Sequence, residues 1–316
     1  MNGEPKNFEK DRKHRFCVWP TPIRLPGGTL LARMAHYADQ AAVLAQALPY
    51  IQAFRGQTFV IKYGGSAMRD PETVAGVINN VLLLQSVGIK PVLVHGGGPE
   101  IDRWLERLGI EKHAVNGLRV TDEFTMEVVE MALSGRANKA LVAAIGQSGG
   151  KGVGLSGRDA SLMVGEAISD ELGRVGQVTQ VNPDVLEVIL AGGFVPVVAS
   201  VANDVHGQPL NVNADTAAAA IAGAVGASKL ILLTDTDGVL ADKTDPTSTI
   251  SQLAAREAAD MIAGGAADKG MVPKLQAALN ALEEGVHNVH LICGGTPNAL
   301  LIEVFTEAGI GTMVTR

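Results

Sequence analysis

From about residue 57 onward, short apolar runs alternate with longer amphipathic stretches. The runs Thr58–Ile61, Pro91–Val94, Val195–Val201, Lys229–Thr234, Val289–Ile292 and Gly311–Val314 are brief and partly β-branched, as strands buried on both faces of a parallel sheet are. The stretches Pro71–Gln85, Thr121–Ile145, Asp215–Val225, Ile250–Ile262 and Met271–Glu284 predict helices. The first follows Asp70, an N-cap residue, and has proline at its first position. Strands alternating with helices predict βαβ units and a three-layer αβα sandwich with a mainly parallel central sheet.

The rhythm breaks twice. Residues 151–180 are rich in glycine turns and predict hairpins on one edge of the sheet. Residues 28–55 predict a helix, capped by Asp39 and running to Phe54, that packs on its own domain or meets a second subunit. Residues 1–27 read as a disordered tail. Residues 56–316 read as the main domain, with lobes of about 56–210 and 211–316 that move against each other.

Composition narrows the field. The chain has 316 residues, is 47% hydrophobic and carries a net charge of −7, a balance that argues against a nucleic-acid or membrane-surface protein. Its two cysteines, Cys17 and Cys293, sit in no Cys/His cluster, so no metal site is expected, and low cysteine use suits a cytoplasmic protein. No run of about 18 apolar residues predicts a membrane helix.

Six constellations carry candidate chemistry. Lys62-Tyr63-Gly64-Gly65-Ser66 ends the first predicted strand; its glycines let backbone N–H groups approach a phosphate, and Lys62 can place a charge on it. An ordinary glycine turn is the alternative. His95-Gly96-Gly97-Gly98-Pro99 ends the second strand and opens a helix, which makes a site for an anion with Gly97 and Gly98 as backbone donors. His95 itself reads as a packed strand-end residue rather than a base. Gly117-Leu118-Arg119-Val120-Thr121-Asp122 offers Arg119 as a planar fork for a carboxylate, or as a surface ion pair. In the run Pro209–Thr216, Asn211 can donate to a ligand, and Asp215 is a helix cap or the organiser of two lysines. Lys274 sits in the first turn of a helix, where the dipole disfavours a cation, so its position suggests a task. Leu232–Val239 runs from a strand into an acidic glycine turn at a sheet's carboxyl edge, where nucleotides bind in open α/β folds.

In order and spacing, these pieces resemble the acetylglutamate kinases of the amino-acid-kinase family from Gln57 to the C-terminus. The piece Gly117–Asp122 separates that enzyme from carbamate, aspartate, glutamate 5- and uridylate kinases. The resemblance implies the amino-acid kinase fold and phosphorylation of the side-chain carboxylate of N-acetyl-L-glutamate by ATP, with Mg2+ carried by the nucleotide phosphates. It implies Lys62 and Lys274 on the transferring phosphoryl group and Asp215 organising them. Gly97, Gly98, Arg119 and Asn211 would hold the acceptor. Gly64, Gly65, Asp235, Gly238, Gly270 and Met271 would border the nucleotide.

The C-terminal segment is similar to the arginine-inhibited members, which are hexamers built as trimers of dimers through an N-terminal helix. That similarity implies an L-arginine site involving Tyr37, His290, Glu303 and Gly309, and raises docking of a nitrogen-signalling protein. The chain departs from that subgroup at Cys293-Gly294-Gly295, where Asp-Gly-Arg is common, and at Lys269-Gly270-Met271, where Gly-Gly-Met is usual. The competing readings are an N-acetyl-aminoadipate kinase, an inactive arginine sensor, and a dinucleotide-binding dehydrogenase, for which the GxGxxG fingerprint is missing.

Overall fold

The computed structural model describes residues 30–68, 70–115, 117–242, 244–245, 247–268, 270–307 and 309–316. The expected tail at 1–27 and Lys269 lie outside them. The chain divides into two units, Met1–Ala45 and Gln46–Arg316. What is described of the first is helical, the start of α1 (Leu30–Phe54). This helix runs through Asp39 rather than being capped by it, since Leu30–Asp39 is already helical.

After the rest of α1, the second unit continues with β1 (Thr58–Tyr63), α2 (Pro71–Ser86) and β2 (Lys90–His95). Then come α3 (Gly98–Leu108), a ribbon of β3 (Ala114–Val115) and β4 (Leu118–Arg119), α4 (Glu123–Glu130), a π-helical turn Met131–Ala137 and α5 (Asn138–Gln147). The middle comprises β5 (Gly152–Ser156), β6 (Met163–Ala167), β7 (Val175–Val181), α6 (Asp184–Ala191), β8 (Val195–Ala199), β9 (Val201–Asn203) and β10 (Pro209–Val212). The last part holds α7 (Ala214–Ala224), β11 (Lys229–Thr234), β12 (Gln252–Ala254), α8 (Ala255–Ala263), α9 (Val272–Glu283), β13 (Asn288–Cys293), α10 (Ala299–Phe305) and β14 (Thr312–Thr315).

Eight strands form the central sheet in the order β12-β14-β13-β11-β1-β2-β8-β5. All neighbouring pairs are parallel except β13 with β14. Strand alternation sends Val60, Val92, Leu230 and Leu232 to one face, where α7 and α9 cover them with Ala218, Ile221, Leu275 and Ala278. Ile61, Leu93 and Ile231 face the other way, under Ile78 and Val81 of α2, Leu141 and Ile145 of α5, and Leu300 of α10. Both faces are dry, which is why the strands read as unbroken apolar runs.

Three sequence expectations are corrected. The glycine-rich region does not decorate the sheet edge with hairpins: β5 joins the edge in parallel, while β6 and β7 leave it to close a small barrel with β9 and β10. Gly165 permits that closure, since a Cβ there would lie 2.3 Å from the Gln177 carbonyl oxygen. The helix expected over 121–145 starts only after Asp122, whose side chain accepts from Thr125 N, and the π turn interrupts it. The helix expected from Ile250 starts at Ala255, because Gln252–Ala254 pairs with β14 as a strand. Asp70 does cap α2, accepting from Thr73 N at 2.8 Å.

Candidate active site

At the carboxyl ends of β1 and β2, the chain turns over the N-termini of α7 and α9. Lys62, the penultimate residue of β1, shares a face with Val60 and so points toward α7. Asn213 caps α7, its side chain accepting from Asp215 N at 2.8 Å and Thr216 N at 3.3 Å. The cap role considered for Asp215 is therefore filled two residues earlier, and Asp215 keeps both carboxylate oxygens for other partners. Lys62 Nζ lies 2.9 Å from Oδ1, and Lys274 Nζ, in the first turn of α9, donates to Oδ2 at 3.0 Å. Lys62 and Asp215 are buried. Burial alone would push the Asp215 carboxyl up; the two lysines outweigh it and hold it below the usual carboxylate range. Two ammoniums on one carboxylate leave one surplus positive charge facing the cleft.

The cleft, of about 240 Å³, is lined by Lys62, Asn213 and Asp215 together with Gly64, Gly65, Gly96 to Gly98, Arg119, Ser200 and Asn211, with Lys274 behind Asp215 and outside the lining. Arg119 on β4 does pair with a carboxylate of the chain, Asp102 of α3, through Nη2. Among the described residues its Nη1 is buried and has no partner, so one guanidinium donor is left unused at the cleft. Asn211 on β10 donates to Thr121 Oγ1 at 3.1 Å, and Thr121 in turn donates to the Arg119 carbonyl, so the Asn211 side chain is tied to the backbone of β4. Gly97 opens α3 as its N-cap, with no side chain cap. A Cβ on Gly97 would lie 2.6 Å from Leu133 Cδ2 of the π turn, so a larger residue would have to push that side chain aside.

Beside the cleft, Gly65 has φ +76°, and a Cβ on it would lie 3.0 Å from both carboxylate oxygens of Asp235, at the end of β11. The turn after Asp235 shapes a hollow of about 70 Å³ with Gly238, Met261 and Met271. Gly238, at φ +118°, sits against Thr312 Oγ1, which accepts from Val239 N. Gly270 is not part of the hollow's lining: its N–H and that of Met271 both donate to Asp268 Oδ1. Asp268 was not singled out from the sequence, nor were Asp102 and Asn213. A capping pattern ahead of Pro273 was the signal available for Asp268.

A separate pocket of about 390 Å³ brings together His290, Glu303 and Gly309, with Lys229, Tyr50 and Phe54. Tyr37 lies in the other unit, on α1, and is 49% exposed. His290 Nδ1 bonds Glu303 Oε1 at 2.6 Å, its Nε2 lies 2.9 Å from Lys229 Nζ, and Glu303 Oε2 accepts from Ile310 N at 2.8 Å. Burial pushes His290 down and keeps the ring neutral. Burial would raise Glu303, but the bonds from His290 and Ile310 bring it below the usual range.

The fold and this lysine–aspartate–lysine cleft define a kinase class: the family model described as the amino acid kinase family matches residues 57–293, and the chain belongs to that family. It is 50% identical over 283 residues to acetylglutamate kinase of Acaryochloris marina (strain MBIC 11017), covering 89% of this chain and 100% of that one. It is 54% identical over 276 residues to acetylglutamate kinase of Prochlorococcus marinus (strain MIT 9303), covering 87% and 90%. Among solved structures it is similar to N-acetylglutamate synthase from Neisseria gonorrhoeae complexed with coenzyme A and N-acetyl-glutamate, with TM-score 0.77 and 28% identity; it covers 87% of this chain but only 63% of that one. Carbamate kinase from Giardia lamblia bound to AMP-PNP shares the fold, with TM-score 0.60 at 14% identity over 83% of this chain and 99% of that one.

Proposed function

We propose that the chain is an acetylglutamate kinase, transferring the terminal phosphoryl group of ATP to the side-chain carboxylate of N-acetyl-L-glutamate in arginine biosynthesis. The observation that carries this reading is the buried Asp215 carboxylate gripping Lys62 and Lys274 on the floor of a cleft whose wall presents the unpaired Nη1 of Arg119. Relatives of that name match over nearly their whole length and support it.

The acceptor is already an anion and needs no general base. The barrier is the approach of two anions and the charge that builds on the phosphoryl oxygens. Lys62 and Lys274 meet that charge from two sides, and Asp215 holds both amines in place so that little reorganisation is needed. Arg119 and Asn211 hold the far carboxylate, and the N–H groups of Gly97 and Gly98 face the reacting end. Gly64 and Gly65 lie over the phosphates, and the turn from Asp235 to Gly238 with Met271 borders the nucleoside. Asp215 is engaged by two lysines, and among the described residues no three metal-ligating side chains gather. A magnesium ion would be held by the nucleotide phosphates, where it would supply further neutralisation. The acyl phosphate product is destroyed by water, so closure of the lobes, about 56–210 on 211–316, would protect it.

Control belongs to the same proposal. Glu303, held by His290, retains acceptor capacity for a guanidinium in the second pocket, where L-arginine would inhibit. The protein would be cytoplasmic and oligomeric, a dimer or a hexamer assembled through α1, and a nitrogen-signalling protein is a further candidate partner. Trapping acyl phosphate with hydroxylamine, from N-acetyl-L-glutamate and MgATP with and without L-arginine, tests both parts. Hydroxamate that forms and then declines as arginine rises supports them; no hydroxamate at all rejects the activity.

A further inference from the structure

His95 has no role in the transfer described above, yet it is fully buried and all of its polar atoms are engaged. On β2 it follows Leu93 in alternation, so its ring points to the α5 face, away from Lys62 and α7. There Nδ1 lies 2.8 Å from the carbonyl oxygen of Gly96, and Nε2 lies 3.0 Å from Asn138 Nδ2. A carbonyl oxygen only accepts, so Nδ1 must carry the ring proton. The amide nitrogen only donates, so Nε2 must be bare. The Asn138 amide is itself oriented: its Oδ1 accepts from Lys139 Nζ, and its Nδ2 also donates to the carbonyls of Leu155 and Val197. The two N–H groups of Nδ2 are shared among three acceptors, the bare Nε2 and these two carbonyls, and a proton on Nε2 would face a donor.

That bond fixes the next peptide plane. The Gly96–Gly97 peptide is trans, so the Gly96 carbonyl and the Gly97 N–H point in opposite directions. Drawing the carbonyl toward the α5 face aims the Gly97 N–H at the opposite face, where Lys62 and Asp215 lie. Among the described residues, Gly97 N donates to no group. The neighbouring amide is anchored as well, Gly96 N donating to the Tyr63 carbonyl at 3.3 Å.

We propose that His95 is a positioning residue for phosphoryl transfer: locked in its Nδ1-protonated form by Asn138, it pins the Gly96 carbonyl and so aims the Gly97 N–H into the acceptor cleft. The proposal rests on the kinase reading, and wild-type turnover decides that reading separately. The test compares His95→Asn, whose amide nitrogen falls where Nδ1 was, with His95→Gln, which reaches toward Asn138 and leaves no donor at Nδ1, and with His95→Leu. All three remove the ring and lose its packing, so the comparison between Asn and Gln stands whatever that loss costs in stability.

The expected result is kcat within about three-fold of wild type for the asparagine variant. The glutamine and leucine variants should lose about 10- to 100-fold, short of the full loss of an oxyanion donor, with KM for ATP within two-fold throughout. Asn138→Ala, which keeps the ring but lets its proton move to Nε2, should lower kcat about three- to ten-fold. Asparagine and glutamine variants that fall together, or an Asn138→Ala enzyme with unchanged kcat, would overturn the proposal.

Discussion

Two buried carboxylates organise this molecule, and they are held in opposite ways. Asp215 lies between two ammonium groups and ends with a surplus positive charge aimed at the cleft. Glu303 is held by a neutral imidazole and a backbone N–H, with Lys229 one step behind the ring, so its pocket is balanced in charge. The first arrangement suits a dense anion such as a transferring phosphoryl group. The second suits a ligand that carries its own positive and negative ends. Burial opposes ionisation at both sites, and what differs is the partner that overcomes it.

The contrast breaks most completely at Lys274. Lys274→Ala should cut kcat by about 1,000-fold, on the order of 4 kcal/mol of transition-state stabilisation, while calorimetry finds both substrates bound nearly as before. Normal turnover would remove Lys274 from the site. Asp215→Asn leaves two ammoniums facing each other and should cost about 3 kcal/mol in urea unfolding, against about 1 kcal/mol for Glu303→Gln, whose partners are neutral or one step removed. Equal costs would dissolve the comparison.

The pH dependence sharpens it. Both carboxylates have lowered values, so each contributes stability above the ordinary carboxylate pKa of about 4 that is lost as pH falls through its lowered value. His95 acts earlier on the scale. Burial pushes it down to about 4 from 6.5, so the unfolded chain takes up a proton that the native ring refuses. Stability should fall between about pH 6.5 and 4, by on the order of 3 kcal/mol, and His95→Asn should flatten that segment of the unfolding profile.

Arg119→Ala should weaken N-acetylglutamate by about 10- to 100-fold and ATP by less than about two-fold, as titration calorimetry would show. Unchanged affinities for both would reject its role. Deleting residues 1–54 should leave turnover but abolish the arginine response and reduce the oligomer to a dimer, read by light scattering. A truncated protein that is still hexameric and inhibited would separate the second pocket from α1.

Much of the site was legible because its parts sit at strand ends and helix starts, where apolar periodicity stops and glycine, lysine or asparagine appears. Lys62, Gly97, Arg119, Asn211, Asp215 and Lys274 could each be read that way, and the structure gathers all but Lys274 into the cleft's lining, with Lys274 bonded to Asp215. The partners were not legible. Asp102, which holds Arg119, looks like any surface carboxylate of an amphipathic helix. Asn138 lies 43 positions from His95 in a pattern that reads as continuous helix. The β6–β7 hairpin was visible as turns, but nothing local says whether such a hairpin extends a sheet or closes a barrel.

The sequence by itself determined the alternation of buried strands and covering helices, and with it the parallel sheet and the edge at which the chemistry collects. It did so because burial on both faces and the preferences of caps and turns act over a few residues. The tertiary structure alone decided that Asn213 rather than Asp215 caps α7, which carboxylate holds Arg119, and which tautomer His95 must adopt. The last two depend on atoms far apart in the chain meeting within 3 Å in a medium of low polarity, where a missing or extra proton is costly and only a full set of neighbours settles where it goes.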